Sequence, residues 1–294
     1  MPILRTLLFV PGVRPNMIER ARDLAPDAIV LDLEDSVPIP EKERARGIVR
    51  DALPTLARPG RLTLVRINGF HTGLAEQDLA AIVQPGLDGI SLPKPTGADT
   101  ILRADALLTL LERQQGMAVG TVQIIPWIET ALSVVRAFEI ASASPRVIGV
   151  SFGAEDFTLD LGITRTLEGE EVAQVRAMLP ILARAANVQA IDGTYMAFQD
   201  LEGLVREAQQ AKRLGYQGKY LIHPNQIAPI NQMFRPTEEE IAYARRVIEA
   251  FEAAAAQGHG AVSLEGHVVD VPVYDRARNL LAWAESIAQR EGIG

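Results

Sequence analysis

The residues best suited to chemistry lie in one stretch, Thr121 to Phe157. It reads T-V-Q-I-I-P-W-I-E-T-A, then an amphipathic helical pattern, then R-V-I-G-V-S-F-G-A-E-D-F. Two apolar runs each end in carboxylates, the first at Glu129 and the second at Glu155 and Asp156. Short apolar runs of this kind are strands buried on both faces in a parallel sheet. An ionised carboxylate at such an end is costly to bury unless it is paired, hydrogen-bonded or bound to metal. Acids gathered at the ends of neighbouring strands would repel one another. A divalent cation relieves that repulsion, and an all-oxygen donor set favours Mg²⁺. The competing reading makes each acid a helix N-cap or first-turn residue. Of the neighbours Glu155 and Asp156, an extended segment would turn only one toward a shared ion.

The other strand-like runs end the same way. Thr6–Pro11 leads into a helical pattern from Pro15 to Leu24. Ala28–Leu33 is closed by Glu34-Asp35 and followed by a helix from Glu41 to Leu53. Leu62–Ile67 carries Arg66 and Asn68 at its end, before a helix over Leu74–Val83. Gly89–Leu92 ends in Pro93-Lys94, before a helix from Ala98 to Arg113. Val122–Ile128 is the fifth strand, with a helix over Ala131–Ala143, and Val147–Phe152 is the sixth. An irregular acidic segment, Thr158 to Glu170, precedes a helix over Glu171–Ala186. Gln189–Ile191 ends in Asp192-Gly193, before a helix over Asp200–Leu214. Lys219–Ile222 ends in His223-Pro224. Eight strand–helix units predict a (β/α)8 TIM barrel over residues 1–235. A doubly wound open sheet is the alternative, but no glycine-rich phosphate fingerprint follows the first strand. In a barrel the C-terminal ends of the strands carry function. Here they form a ring of Glu34, Asp35, Arg66, Lys94, Glu129, Glu155, Asp156, Asp192 and His223.

Residues 236–294 do not fit a ninth unit. Thr237 and Glu240 have capping-box spacing at the start of a helix running to about Ala256. Ala261–Leu264 and His267–Val271 flank Glu265-Gly266, a hairpin signal, and a helix over Tyr274–Gln289 follows. This helix–hairpin–helix extension is expected to act as a lid or as an arm over a neighbouring subunit. Asp270 stands in the apolar string V-V-D-V-P-V, where a buried acid needs a partner.

Bulk composition narrows the partners. A net charge of −8 argues against nucleic acid or an anionic membrane surface. Cysteine is absent, so disulfides, thiolate metal sites and Fe–S clusters are excluded. The apolar run near residue 1 is too short for a signal peptide or a membrane span, which makes the cytoplasm the expected location.

These pieces together resemble the citrate lyase β-subunit family, within the aldolase/citrate lyase barrels that include malyl-CoA and citramalyl-CoA lyases. The matching segments are L-L-F-V-P-G-V-R-P (7–15), L-D-L-E-D-S-V (31–37), V-R-I-N (65–68), L-P-K (92–94), I-E-T-A (128–131), F-G-A-E-D-F (152–157), G-K-Y-L-I-H-P-N-Q-I (218–227) and G-H-V-V-D-V-P (266–272). They span nearly the whole chain. The resemblance implies Mg²⁺, with Mn²⁺ as a substitute ion, and cleavage of a 3-hydroxy-3-carboxyalkyl thioester to an acetyl thioester and a 2-oxo acid. It also implies a homotrimer or hexamer. By the family pattern Glu129 and Asp156 correspond to metal ligands, and Glu34 and Asp35 to acids that bind water on the metal. Arg66 corresponds to the arginine on the substrate's carboxylate and thioester oxygens. Arg14 corresponds to a contact for CoA phosphates; Arg20 stands where relatives often have Lys. Asp270 matches a tail aspartate given to the neighbouring subunit's site.

The residue types suit that chemistry. Breaking the carbon–carbon bond leaves an enolate that a permanently charged, forked Arg66 can meet. Asp270, in apolar surroundings, could return the proton. Lys94 is expected to contact the substrate; a Schiff base on it is the competing, metal-free route. The substrate is expected to be a free CoA thioester of citramalyl or malyl type. A citryl group on a partner acyl carrier protein, or a non-catalytic scaffold barrel, are the alternatives.

Overall fold

The computed structural model describes residues 2–166 and 168–292. Residue 167, in the segment expected to be irregular, lies outside the described residues. The chain divides into two compact units, one ending at Asn231 and the other beginning at Gln232.

In the first unit, eight parallel strands close into a barrel among the described residues: β1 (Thr6–Pro11), β2 (Ala28–Asp32), β3 (Leu62–Arg66), β4 (Gly89–Leu92), β5 (Gln123–Ile128), β6 (Gly149–Phe152), β7 (Gln189–Asp192) and β8 (Gly218–Leu221). The barrel closes where Thr6, Leu7 and Leu8 pair with Lys219, Tyr220 and Leu221. The strands are buried on both faces because helices cover the outside and side chains fill the inside. Leu7, Ala28, Val30, Leu64, Ile125, Trp127, Ile191 and Tyr220 belong to that filling. Its upper layer is aromatic. Phe9 stacks on Tyr220 at 5.0 Å between ring centroids, and Trp127 lies 4.5 Å from Tyr220. Burying these polar rings requires partners. Trp127 Nε1 donates to Ser91 Oγ at 2.7 Å, and Ser91 Oγ shares a 3.1 Å hydrogen bond with the Tyr220 hydroxyl.

The structure corrects the sequence reading at several points. β2 ends at Asp32, so Glu34 and Asp35 belong to the loop beyond it. The segment from Thr158 is not wholly irregular. A helix spans Ala154–Leu161 and stops at Gly162, whose φ of +70° is the left-handed stop favoured by glycine. Glu155 and Asp156 are therefore first-turn helical residues rather than neighbours on an extended strand. The helix expected over Ala131–Ala143 breaks at Arg136 into Ala131–Val135 and Ala137–Ser142.

In the second unit, Thr237 caps the helix Glu238–Ala255 through the reciprocal box anticipated from sequence. Glu240 N donates to Thr237 Oγ1 at 3.1 Å, and Thr237 N donates to Glu240 Oε2 at 2.8 Å. Strands β9 (Val262–Leu264) and β10 (His267–Val269) pair antiparallel, with Glu265 at φ +52° and Gly266 at φ +81° in the turn. Two successive positive φ values are what a tight hairpin turn demands. The second strand stops at Val269, short of the expected Val271. Pro272 sits within the first turn of the helix Val271–Glu291, where its missing N–H costs nothing. Asp270 is that helix's N-cap and accepts from Val273 N at 3.3 Å.

Candidate active site

The strand ends of the barrel surround a cavity of about 550 Å³. Phe9, Asp32, Arg66, Trp127, Glu129, Asp156 and Lys219 are among the residues that line it.

Arg66 is held there by three carboxylates. Its Nε donates to Asp32 Oδ1 at 2.7 Å and its Nη2 to Asp32 Oδ2 at 2.8 Å. Nη1 lies 3.0 Å from Asp35 Oδ2 and 3.1 Å from Glu34 Oε2. The guanidinium sits 4.6 Å over the Phe9 ring. Burial opposes the charge of Arg66, but the carboxylates of Asp32, Glu34 and Asp35 outweigh it and raise its pKa further. Burial likewise pushes Asp32 upward, yet the Arg66 charge and the hydrogen bonds on both oxygens bring it below the usual carboxylate range. Two of those bonds come from the loop itself: Glu34 N at 2.9 Å and Ser36 N at 3.0 Å.

The second group gathers around Lys94. Its φ of +49° is a left-handed conformation uncommon for lysine. That turn aims both its backbone N–H and its ammonium at acids. Lys94 N donates to Glu129 Oε1 at 2.8 Å, and Nζ lies 3.0 Å from Asp156 Oδ1 and 3.7 Å from Glu34 Oε1. Burial works against the Lys94 charge, but the bond to Asp156 and the Glu129 and Glu34 charges prevail and raise its pKa. A lysine held charged in this way is a poor Schiff-base nucleophile.

One ammonium does not neutralise three acids. Burial, then the Glu34 and Asp156 charges, push Glu129 up to about 8. Glu34 is pushed up to about 7, chiefly by burial, with Asp35 adding to it and Arg66 opposing. Among the described residues no three Asp, Glu or His side chains converge as a ready-made metal cage. Magnesium, however, is commonly held through one or two carboxylates, with water and substrate oxygens completing an octahedron. The hard oxygen donors of Glu129 and Asp156, in a pocket with surplus negative charge, fit such an ion. Backbone geometry supports Glu129's place. A Cβ at Gly153 would lie 2.5 Å from its Oε2 and 2.6 Å from its Cβ, so only glycine there leaves it room.

The sequence reading missed several groups. Asp32 was passed over, although it lies two residues before Glu34 and so shares its parity on an extended chain. Arg165, Arg176 and Lys219 also line the cavity. Arg176 and Lys219 engage both oxygens of Asp192, with Lys219 Nζ at 2.6 Å from Oδ2, and Lys219 also reaches Glu207 Oε1 at 2.6 Å. These partners hold Asp192 below the ordinary carboxylate range despite burial. Glu155 also lines the cavity but is 62 % exposed, and its carboxylate lies 3.9 Å from Arg165 Nε. His223 accepts from Asn225 N at 3.2 Å and stacks on Phe198, a capping role. Arg14 and Arg20 are exposed on and beside the helix Pro15–Ala21 and do not line the cavity. Asp270 belongs to the second unit.

Comparison with known proteins gives this arrangement its relatives. The profile of the HpcH/HpaI aldolase/citrate lyase family matches residues 5–224. The citrate lyase subunit beta of Leuconostoc mesenteroides subsp. cremoris is 41% identical over 290 residues, covering 98% of this chain and 96% of that protein. The (3S)-malyl-CoA thioesterase of Cereibacter sphaeroides is 35% identical over 284 residues, covering 97% and 95%. The crystal structure of CitE from Mycobacterium tuberculosis in complex with magnesium, acetoacetate and coenzyme A superposes with a TM-score of 0.77 at 33% identity, covering 96% of this chain and 98% of that one. With the family profile spanning the barrel and the relatives spanning both units, the chain belongs to the HpcH/HpaI aldolase/citrate lyase family.

Proposed function

We propose that this chain is a Mg²⁺-dependent carbon–carbon lyase. It cleaves a 3-hydroxy-3-carboxyalkyl-CoA thioester, of citramalyl or malyl type, to acetyl-CoA and a 2-oxo acid. The observation that carries this reading is a pair of charge groups at the strand ends, Arg66 braced by Asp32 and the Glu129–Asp156–Glu34 acids around Lys94, with Arg66, Asp32, Glu129 and Asp156 lining one cavity. The relative that binds magnesium and coenzyme A supports it.

Glu129 and Asp156 would hold the ion, whose charge lowers the pKa of the substrate hydroxyl and steadies the adjoining carboxylate. Glu34, pushed up to about 7, is matched to taking the hydroxyl proton near neutral pH. As that proton leaves, the C–O bond becomes the carbonyl of the oxo acid. The electron pair of the bond between the methylene and the hydroxyl-bearing carbon passes to the thioester as an enolate. Arg66, already oriented by Asp32, donates to the enolate oxygen without reorganising. The enolate carbon then takes a proton, completing the acetyl thioester. We assign that proton to Asp270 of a neighbouring copy in a homotrimer or hexamer. Lys94 orients Glu129 and Asp156 and meets the substrate's negative charge.

A second reading keeps the chemistry and changes the carrier: a citrate lyase β subunit acting on a citryl group borne by a partner acyl carrier protein. The 41% identity to a citrate lyase subunit beta, against 35% to the malyl-CoA thioesterase, favours it. The deciding assay supplies citramalyl-CoA, malyl-CoA, citryl-CoA and a citryl thioester on an acyl carrier protein, with Mg²⁺ and with EDTA, and reads pyruvate, glyoxylate and oxaloacetate separately. One oxo acid appearing only with Mg²⁺ supports the first reading. Cleavage only of a carrier-bound thioester supports the second. Activity that survives EDTA rejects the metal, and free CoA without oxo acid identifies a hydrolase instead.

A further inference from the structure

Lys42 is a buried lysine, 8 % exposed, in the first turn of the helix Lys42–Leu56. That position is unfavourable twice over. Burial costs an ammonium its hydration, and the positive end of the helix dipole repels it. The cost is offset by three hydrogen bonds that use every donor of the ammonium. Nζ donates to Leu33 O at 2.6 Å, to Glu34 O at 2.7 Å and to Asn68 Oδ1 at 2.7 Å.

Those acceptors belong to the two segments that carry the acids and the arginine of the site. Leu33 and Glu34 open the loop after β2. Asn68 follows Arg66 by two residues and donates through Nδ2 to Leu33 O at 3.1 Å and to Asp78 Oδ2 at 2.6 Å. Asp78 also accepts from Asn68 N at 2.8 Å and from Arg46 Nε at 2.6 Å. The loop is thus gripped from both sides of its backbone. The Asp32 carboxylate takes the N–H groups of Glu34 and Ser36, and Lys42 takes the carbonyls of Leu33 and Glu34.

We infer that Lys42, tied to Asn68 and Asp78, is a positioning residue that sets Glu34 and Asp35 against the Arg66 guanidinium. The inference rests on the lyase reading above for its catalytic consequence, though not for its structural one. Lys42 lines no part of the cavity and touches no reacting atom; it acts through the loop.

The test uses Lys42→Met, which keeps the aliphatic stem and removes every donor, and Lys42→Arg, which keeps the charge but spreads its donors over a planar fork. Kinetics are measured on the thioester that the wild-type protein cleaves, and backbone hydrogen exchange is followed without ligand. A displaced acid loop should lower kcat by about 100-fold. KM should stay within about threefold, since binding contacts are kept. Exchange over residues 33–37 should accelerate about tenfold while β5 keeps its wild-type rate. An unchanged kcat overturns the inference. So does a loss of kcat with faster exchange throughout the barrel, which would make Lys42 a general structural residue. If Lys42→Met does not fold, Lys42→Arg is judged by the same criteria, and full kcat in that variant overturns the inference. A wild-type protein inactive on every thioester defeats the lyase reading alone, and exchange at 33–37 still decides whether Lys42 holds the loop.

Discussion

Asp32 and Arg66 are register partners on adjacent parallel strands, and their side chains meet as a two-pronged ion pair, Nε to Oδ1 at 2.7 Å and Nη2 to Oδ2 at 2.8 Å. The pairing fixes the plane of the guanidinium and leaves Nη1 toward the acid loop. Asp32→Asn removes the charge and one acceptor while keeping the shape. Breaking one partner of a buried pair costs about 3 kcal/mol, readable as a lower urea midpoint. Because Arg66 would lose its fixed orientation, kcat should fall by about 100-fold. Wild-type kcat in Asp32→Asn would show that Arg66 needs no brace.

Gly153→Ala tests the place of Glu129 without touching its chemistry. The added Cβ would meet Glu129 Oε2 at 2.5 Å and must displace it. We expect the Mg²⁺ concentration for half-maximal activity to rise at least about tenfold, a loss of roughly 1.4 kcal/mol in ion binding. An unaltered Mg²⁺ requirement would remove Glu129 from the metal site.

The raised carboxylates give a pH dependence with a definite sign. Glu129 and Glu34 move from an ordinary 4.5 to about 8 and about 7, so the folded state binds their protons more tightly than the unfolded state. Below the unfolded value neither state is penalised. As pH rises toward about 8, the metal-free protein loses stability because the folded state must give up protons it holds more tightly. An ion binding the ionised acids offsets that loss. The rise in Tm on adding Mg²⁺ should therefore be larger at pH 8 than at pH 5.5. Equal shifts at the two pH values would sink the assignment.

Lys94 should form no imine. Its ammonium is engaged by Asp156 and Glu34, which hold it charged. Incubation with each oxo acid and borohydride, followed by intact mass measurement, should leave the chain unmodified. A reduced adduct at Lys94 would revive the metal-free route.

Asp270 caps the helix Val271–Glu291, so two roles must be separated. Asparagine caps nearly as well as aspartate, whereas alanine costs about 1 kcal/mol. Asp270→Asn should keep wild-type stability yet lose proton transfer, and Asp270→Ala should lose both. If the proton comes from a neighbouring copy, mixing Asp270→Asn with Glu129→Gln protein should restore part of the activity neither has alone. No recovery on mixing would place the acid within one chain or remove it from the reaction.

The sequence by itself determined the barrel, because eight short apolar runs separated by helical patterns have few other ways to bury themselves. It also named most of the charged groups at the strand ends, since a carboxylate or arginine closing a buried run is conspicuous in one dimension. The capping box at Thr237 and the Glu265-Gly266 turn were equally legible, because both follow from local spacing. Only the tertiary structure decided which charge meets which. Asp32 braces Arg66 because strand register brings their side chains together from 34 residues apart, and register between strands is not written in either strand. Lys94 faces Glu129, Asp156 and Glu34 through a left-handed turn that lysine rarely adopts. Lys42 reads as an ordinary helix residue until the loop carbonyls and Asn68 close around it. Partnership among buried charges depends on three-dimensional neighbours and on shared desolvation, and neither has a signature in a single chain of letters.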